Sequence, residues 1–239
     1  MLVNGPVRAD AVRPGLLITG TDTGVGKTTF SCLLAASLRE MGQRVGVMKP
    51  AETGCPPNEA GALRPLDAIS LRDAASCRFP LDTICPYVFP EPLAPLLAAR
   101  RAGETISLSH IAACYREIEA DSDLTLVEGA GGLLVPLTAQ QTFADLASFL
   151  DLDVLVVVGS KLGCINHALL TIRHAQQVGL RVIGYVRNDL AVDPDLAQRT
   201  NGALLEEWLG PPLAILPFLG TATSYRLDPT PVLAAWTPR

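Results

Sequence analysis

The sequence predicts an α/β protein, a mostly parallel sheet with helices on both faces, and three observations predict it. Short apolar runs suited to buried strands recur along the chain. Helix-length segments separate most of them, the pattern of βαβ units. A glycine-rich turn joins the first run directly to an amphipathic segment, as a strand-to-helix connection does. The strand runs are 15–18, 45–48, 124–127, 154–158, 182–186 and 214–216. Over 28–41, Phe30, Leu33, Leu34, Leu38 and Met41 recur every three or four residues, the stripe of a helix packed on a sheet, and Gly42 stops it. Ile165, Leu169, Ile172 and Ala175 form a second stripe between Gly163 and Gly179. Residues 50–95 are proline-rich and broken, which predicts a long excursion across one sheet edge. In such sheets ligands gather at the carboxyl ends of the strands, so function is expected in the strand-exit loops.

Of the 239 residues, 49% are hydrophobic and 18% charged, which excludes disorder. No repeat or low-complexity linker divides the chain, so 1–239 reads as a single domain with 1–13 as a flexible leader. That leader holds Arg8, Asp10 and Arg13 and lacks the apolar core of a signal peptide. With 24 acids against 19 Lys plus Arg, a net charge of -5 and no basic stripe, nucleic acid and anionic membrane are not expected partners. The apolar run 152–158 is interrupted by Asp153 and falls far short of the roughly 20 residues a bilayer demands. The 6 cysteines form no C-x-x-C pair and no zinc spacing, so ordinary cytoplasmic thiols are expected. Basic residues are almost all Arg, and the lysines, Lys27, Lys49 and Lys161, each lie in a turn beside glycine or proline. Lys supplies a compact point charge that the planar guanidinium does not.

The first strand runs into Gly20-Thr21-Asp22-Thr23-Gly24-Val25-Gly26-Lys27-Thr28-Thr29 and then into a helix, a phosphate-binding loop in its proper setting. Its glycines let backbone N–H groups turn inward, the helix start adds positive charge, Lys27 reaches the β/γ-phosphates, and Thr28 can ligate Mg²⁺. The usual first glycine of the pattern is displaced here from Thr21 to Gly20. The third run delivers Glu128-Gly129-Ala130-Gly131-Gly132 at a strand end, where Glu128 reads either as a metal-side carboxylate or as a surface acid before a turn. The second run ends in Lys49-Pro50, leaving Lys49 either near a γ-phosphate or as an ordinary exposed lysine. Asp67 reads by spacing as a helix N-cap. Gly163, Cys164, Ile165 and Asn166 would present free N–H groups at a helix start, a second anion site. His110, His167 and His174 make no metal pattern with nearby acids and read as structural.

Taken together, the 20–28 loop, Lys49-Pro50, Glu128-Gly129-Ala130-Gly131-Gly132, Lys161-Leu162-Gly163-Cys164-Ile165-Asn166-His167 and Asn188-Asp189 resemble the dethiobiotin synthetase family over about 15–219. The resemblance implies a P-loop NTPase-like fold and a Mg²⁺- and ATP-dependent ligase that closes a cyclic urea from 7,8-diaminononanoate and CO₂. It implies Lys27 and Lys49 as catalytic cations, and Thr28, Asp67 and Glu128 as metal ligands, which displaces the N-cap reading of Asp67. ATP would lie on Gly24, Val25, Gly26, Lys27, Thr28, Thr29, Glu128, Gly129, Ala130 and Gly131, with Asn188, Asp189, Pro217, Phe218 and Leu219 around adenine. Thr23 and Thr53 become substrate contacts. The 163–166 turn would hold the substrate carboxylate for the other subunit of a homodimer. Gly24 departs from the acidic residue often found there, and the 220–225 segment has no clear counterpart. Two other readings share features of the sequence: a partitioning or septum-type switch ATPase, and a cobyrinate-type amide synthase. The first usually carries an extra lysine early in the loop, where this chain has Asp22, and the second needs a glutaminase domain.

Overall fold

A computed structural model describes residues 15–220 and 225–237; the leader 1–13 and most of the 220–225 segment lie outside the described residues. The strands are β1 (Leu16–Gly20), β2 (Val45–Met48), β3 (Ala51–Thr53), β4 (Tyr87–Phe89), β5 (Leu124–Gly132), β6 (Asp153–Ser160), β7 (Val182–Asp189) and β8 (Ala214–Leu216). The helices are α1 (Lys27–Glu40), α2 (Leu66–Ala75), α3 (Leu81–Ile84), α4 (Pro95–Ala102), α5 (Leu108–Glu119), α6 (Phe143–Phe149), α7 (Cys164–Gln177), α8 (Leu196–Leu209) and α9 (Thr230–Ala235). Six strands pair in parallel in the order β2-β5-β1-β6-β7-β8, and β3 and β4 form a separate parallel pair.

Every residue of β1, β2 and β6 is buried, which requires cover on both faces of the sheet. Each predicted run is a strand. β5, β6 and β7 continue past those runs because parallel pairing carries polar residues along, as where Ser160 pairs with Asp189. From β1 the chain passes to β2 on one side, and later to β6, β7 and β8 on the other. The crevice at this reversal opens at the carboxyl end of β1, between β5 and β6. The excursion after Pro50 supplies β3, α2, α3, β4 and α4, and α2 packs against β2 and α1 at the sheet edge.

Two helix faces differ from the predicted stripes. α1 buries Phe30, Leu34 and Leu38 together with Ser31 and Ala35, while Leu33 is half-buried and Met41 is 54% exposed. α7 buries Cys164, Ala168, Ile172 and Ala175, leaving Ile165 and Leu169 on its flank. Small residues let α7 sit close to the fully buried β6, and the larger side chains lie beside the contact. Among the described residues no helix is long and apolar enough to cross a membrane.

Candidate active site

The phosphate loop leaves β1 and turns into α1 through Gly26, whose φ of 93° lies in the left-handed region. A Cβ there would lie 2.1 Å from Asn188 Nδ2, so the position is closed to larger residues by space as well as by backbone. The Asn188 amide donates to the Val25 carbonyl at 2.9 Å, bracing the loop from β7. Lys27 Nζ donates to the Asp22 carbonyl at 3.0 Å, curling the lysine back over the loop. No side chain caps α1, so the N–H groups of its first turn, at Thr28 and Thr29, stay turned toward the crevice.

Lys49 is buried, not an exposed surface lysine. Its Nζ lies 2.6 Å from Glu128 Oε1 and 2.8 Å from Asp67 Oδ2. Thr28 Oγ1 donates to the same Glu128 oxygen at 2.7 Å. Glu128 is 1% exposed, so it is not a surface acid before a turn, and its Oε2 is buried without a partner. Burial by itself would lower the Lys49 ammonium, but the Glu128 and Asp67 carboxylates outweigh it and hold its pKa above the ordinary lysine value. Lys27 has no such direct partner. Burial, then repulsion from Lys49, pulls it from 10.5 to about 8.

Asp67 is not an N-cap. Pro65 occupies that position, and Asp67 sits in the first turn of α2 with its carboxylate on Lys49. The capping comes from Glu52 on β3, which accepts the N–H groups of Asp67 and Ala68, both at 2.9 Å. Burial raises the Glu52 carboxyl, and those two N–H groups oppose the rise. Glu52 thus fixes the position of Asp67, a role the sequence reading missed. The available signal was an acid one residue before Thr53, at the end of a strand leading to the site.

Thr23, Gly24, Gly26, Lys27, Thr28, Thr29, Lys49, Glu52, Thr53, Asp67, Ala130 and Gly131 share one cavity of about 680 Å³, walled by Val135 and residues 92–95. A second cavity of about 450 Å³ gathers Asp189, Pro217 and Phe218 with Arg187, Gln198 and Arg199. Val25, Glu128, Gly129, Asn188 and Leu219 line neither; Val25 and Asn188 brace the loop, and Glu128 and Gly129 are buried within β5. The 163–166 turn also lies outside both cavities. Not all of its N–H groups are free, because Cys164 donates its own to the Lys161 carbonyl at 3.1 Å. Those of Ile165 and Asn166 remain at the open end of α7.

The donor set of Thr28, Glu128 and Asp67 is all oxygen, which suits Mg²⁺, and the partnerless Glu128 oxygen is a ready ligand. Among the described residues no group of three or more His, Cys, Asp or Glu side chains could hold a metal. The ion would therefore need phosphate and water oxygens to complete its shell, the usual arrangement for Mg²⁺.

The loop, the switch point and the sheet order define the class, an α/β protein with a P-loop NTPase-like fold. Solved structures of that class share the fold: the MinC:MinD cell division complex of Aquifex aeolicus, with TM-score 0.52 and 20% identity over 85% of this chain and 81% of that one. A ParA family ATPase from Chlorobium tepidum TLS gives TM-score 0.51 and 16% identity over 87% and 85%. The AAA domain family model matches residues 14–225. ATP-dependent dethiobiotin synthetase BioD of Anaeromyxobacter sp. (strain K) is 45% identical over 205 residues, 85% of this chain and 90% of that protein. The Bacillus licheniformis protein of the same name is 39% identical over 83% of each chain, and that of Xylella fastidiosa (strain 9a5c) 42% over 80% and 84%. The chain belongs to the dethiobiotin synthetase family.

Proposed function

We propose that this chain is an ATP-dependent cyclo-ligase that forms the ureido ring of dethiobiotin from 7,8-diaminononanoate and CO₂, releasing ADP and phosphate. The observation that carries the reading is the convergence of Lys27, Lys49, Thr28 and Asp67 on one cavity, with Glu128 buried behind them and bonded to Thr28 and Lys49, in a chain of this family. An amine adds to CO₂ and loses a proton, giving a carbamate. A carbamate oxygen attacks the γ-phosphorus, and the bond to ADP breaks. The second amine then attacks the carbonyl carbon, loses its proton and expels phosphate, closing the ring. No side chain has to become covalently attached, so positioning and charge stabilisation supply the catalysis.

Lys49, kept cationic by its two carboxylates, would offset charge on the carbamate and on the transferring phosphoryl oxygens. Lys27 would lie along the phosphates, where the incoming anions restore its full charge. Thr28, Asp67 and Glu128 would hold Mg²⁺, which would supply further neutralisation of phosphate oxygens. Thr23 and Thr53 would contact the diamine or carbamate. Asp189, Pro217 and Phe218 would enclose adenine in the smaller cavity, with Asn188 and Leu219 beside it. The 163–166 turn, which lines neither of its own chain's cavities, would receive the substrate carboxylate of a partner subunit in a cytoplasmic homodimer. The direct test is ADP release from MgATP and bicarbonate with and without the diamine, with mass spectrometry of the product. Diamine-dependent ADP matched by dethiobiotin supports the ligase, and turnover indifferent to the diamine removes it.

A further inference from the structure

Asp22 is the one acid in the 20–29 loop, next to Thr23, which lines the larger cavity. Its structural work is plain. Oδ1 accepts the Thr23 N–H at 2.8 Å, and its carbonyl accepts the Lys27 ammonium at 3.0 Å, so the residue sets the curl of the loop and the direction of Lys27. The electrostatic side is unfavourable, because a bare carboxylate there opposes a polyphosphate. Lys161 answers it: its Nζ lies 2.7 Å from Asp22 Oδ2.

Lys161 is not a stray surface lysine. It follows β6, the strand paired with β1, and the Thr21 N–H donates to the Val157 carbonyl at 3.0 Å, so the two loops leave the sheet side by side. Its carbonyl accepts Asn201 Nδ2 from α8 and the Cys164 N–H, both at 3.1 Å, which fixes the backbone from which the side chain reaches. The Asp22 carboxyl is held below the usual carboxylate range, first by Lys161 and then by the Thr23 N–H. Both partners are 40–47% exposed, and exposed ion pairs typically contribute only about 0–1 kcal/mol to folding. Fold stability therefore does not account for a lysine placed here, whereas charge balance at an anion site does.

We propose that Lys161 is a positioning residue of the nucleotide site: by neutralising Asp22 it lets the loop keep the carboxylate that shapes it while still admitting a triphosphate. The inference rests on the reading of the loop as an ATP site. The test is a double-mutant cycle of wild type, Lys161→Ala, Asp22→Asn and the double variant, with MgATP affinity read by calorimetry and turnover read as separate kcat and KM. Asn keeps the acceptor for the Thr23 N–H without the charge. Lys161→Ala should weaken MgATP binding about tenfold, mainly through KM. The double variant should recover to within about threefold of Asp22→Asn, an outcome specific to charge neutralisation. Wild-type affinity in Lys161→Ala overturns the inference. So does a double variant as weak as Lys161→Ala, which would mean that Lys161 touches the phosphates directly. Failure of the wild-type protein to bind MgATP would reject the nucleotide site itself, and the inference with it.

Discussion

Lys27 should take up a proton when MgATP binds. Its ammonium is displaced from 10.5 to about 8 by burial and by Lys49, which corresponds to about 3 kcal/mol against the charged form. Phosphate oxygens beside it reverse that balance and return its pKa toward the ordinary value. At pH 8 about half of the free protein carries a neutral Lys27, so binding draws in about 0.5 proton, rising to about 0.9 at pH 9. The sign follows from the lowered pKa: affinity is greatest below pH 8 and declines above it, by up to about tenfold per pH unit. A stability titration would blur this effect. Between pH 8 and 10.5 the depressed Lys27 makes the fold more stable as pH rises, but Cys32, Cys55, Cys85 and Cys114, all raised chiefly by burial, act in the opposite direction. Ligand binding compares two folded states and removes that interference. The assay is titration calorimetry of MgATP at pH 8 and 9 in buffers of different ionisation enthalpy. Binding heats independent of buffer at both pH values would refute the reasoning, since Lys27 would then be fully charged before the nucleotide arrives.

Lys49→Ala leaves Glu128 buried with neither oxygen facing a cation, and should cost about 3–5 kcal/mol in urea unfolding as well as more than tenfold in turnover. Unchanged stability would mean that Glu128 does not depend on Lys49 as its counter-charge. Glu52→Ala removes the cap of α2 and should cost about 1–2 kcal/mol. Because Asp67 loses its anchor, the Mg²⁺ concentration for half-maximal turnover should also rise; a stability loss with unchanged Mg²⁺ dependence would separate Glu52 from the site. Gly26→Ala meets Asn188 Nδ2 and a φ of 93°, and should abolish MgATP binding while the fold persists, as checked by circular dichroism and calorimetry. If the 163–166 turn serves the partner subunit, mixing inactive Lys27→Ala and Gly163→Trp proteins should restore about a quarter of wild-type activity after subunit exchange. No recovery from mixed dimers would place that turn outside the shared site.

What the sequence disclosed and what it concealed divide along a physical line. The six strands of the main sheet were legible because each contains a short apolar run, and in β1, β2 and β6 burial on both faces leaves no alternation to decode. The phosphate loop was legible because its chemistry is contiguous: glycines, Lys27 and Thr28 act within one turn of chain. The buried face of α7 was not, because Ile165 and Leu169 outweigh Cys164 and Ala168 in any hydrophobic stripe, although the small pair lets the helix approach β6. Glu52 and the Asp22–Lys161 pair were hidden for a different reason. Their function is relational, made across 15 and 139 residues of chain, so the pairing is not visible in either segment alone.

The same distinction bears on how the site works. Counted singly, Lys27 and Lys49 suggest a strongly positive pocket. Read with their partners, Lys49 is balanced by Glu128 and Asp67, and Lys161 by Asp22, which leaves Lys27 as the cation of the loop without a carboxylate at salt-bridge distance. A pocket balanced in this way can stay folded and buried without a ligand, since little net charge is held away from water. Most of its attraction for phosphate must then come from the loop N–H groups, the start of α1 and the recharging of Lys27. Proton uptake and the Asp22–Lys161 cycle therefore probe one property, the charge balance of the empty site, from its two sides.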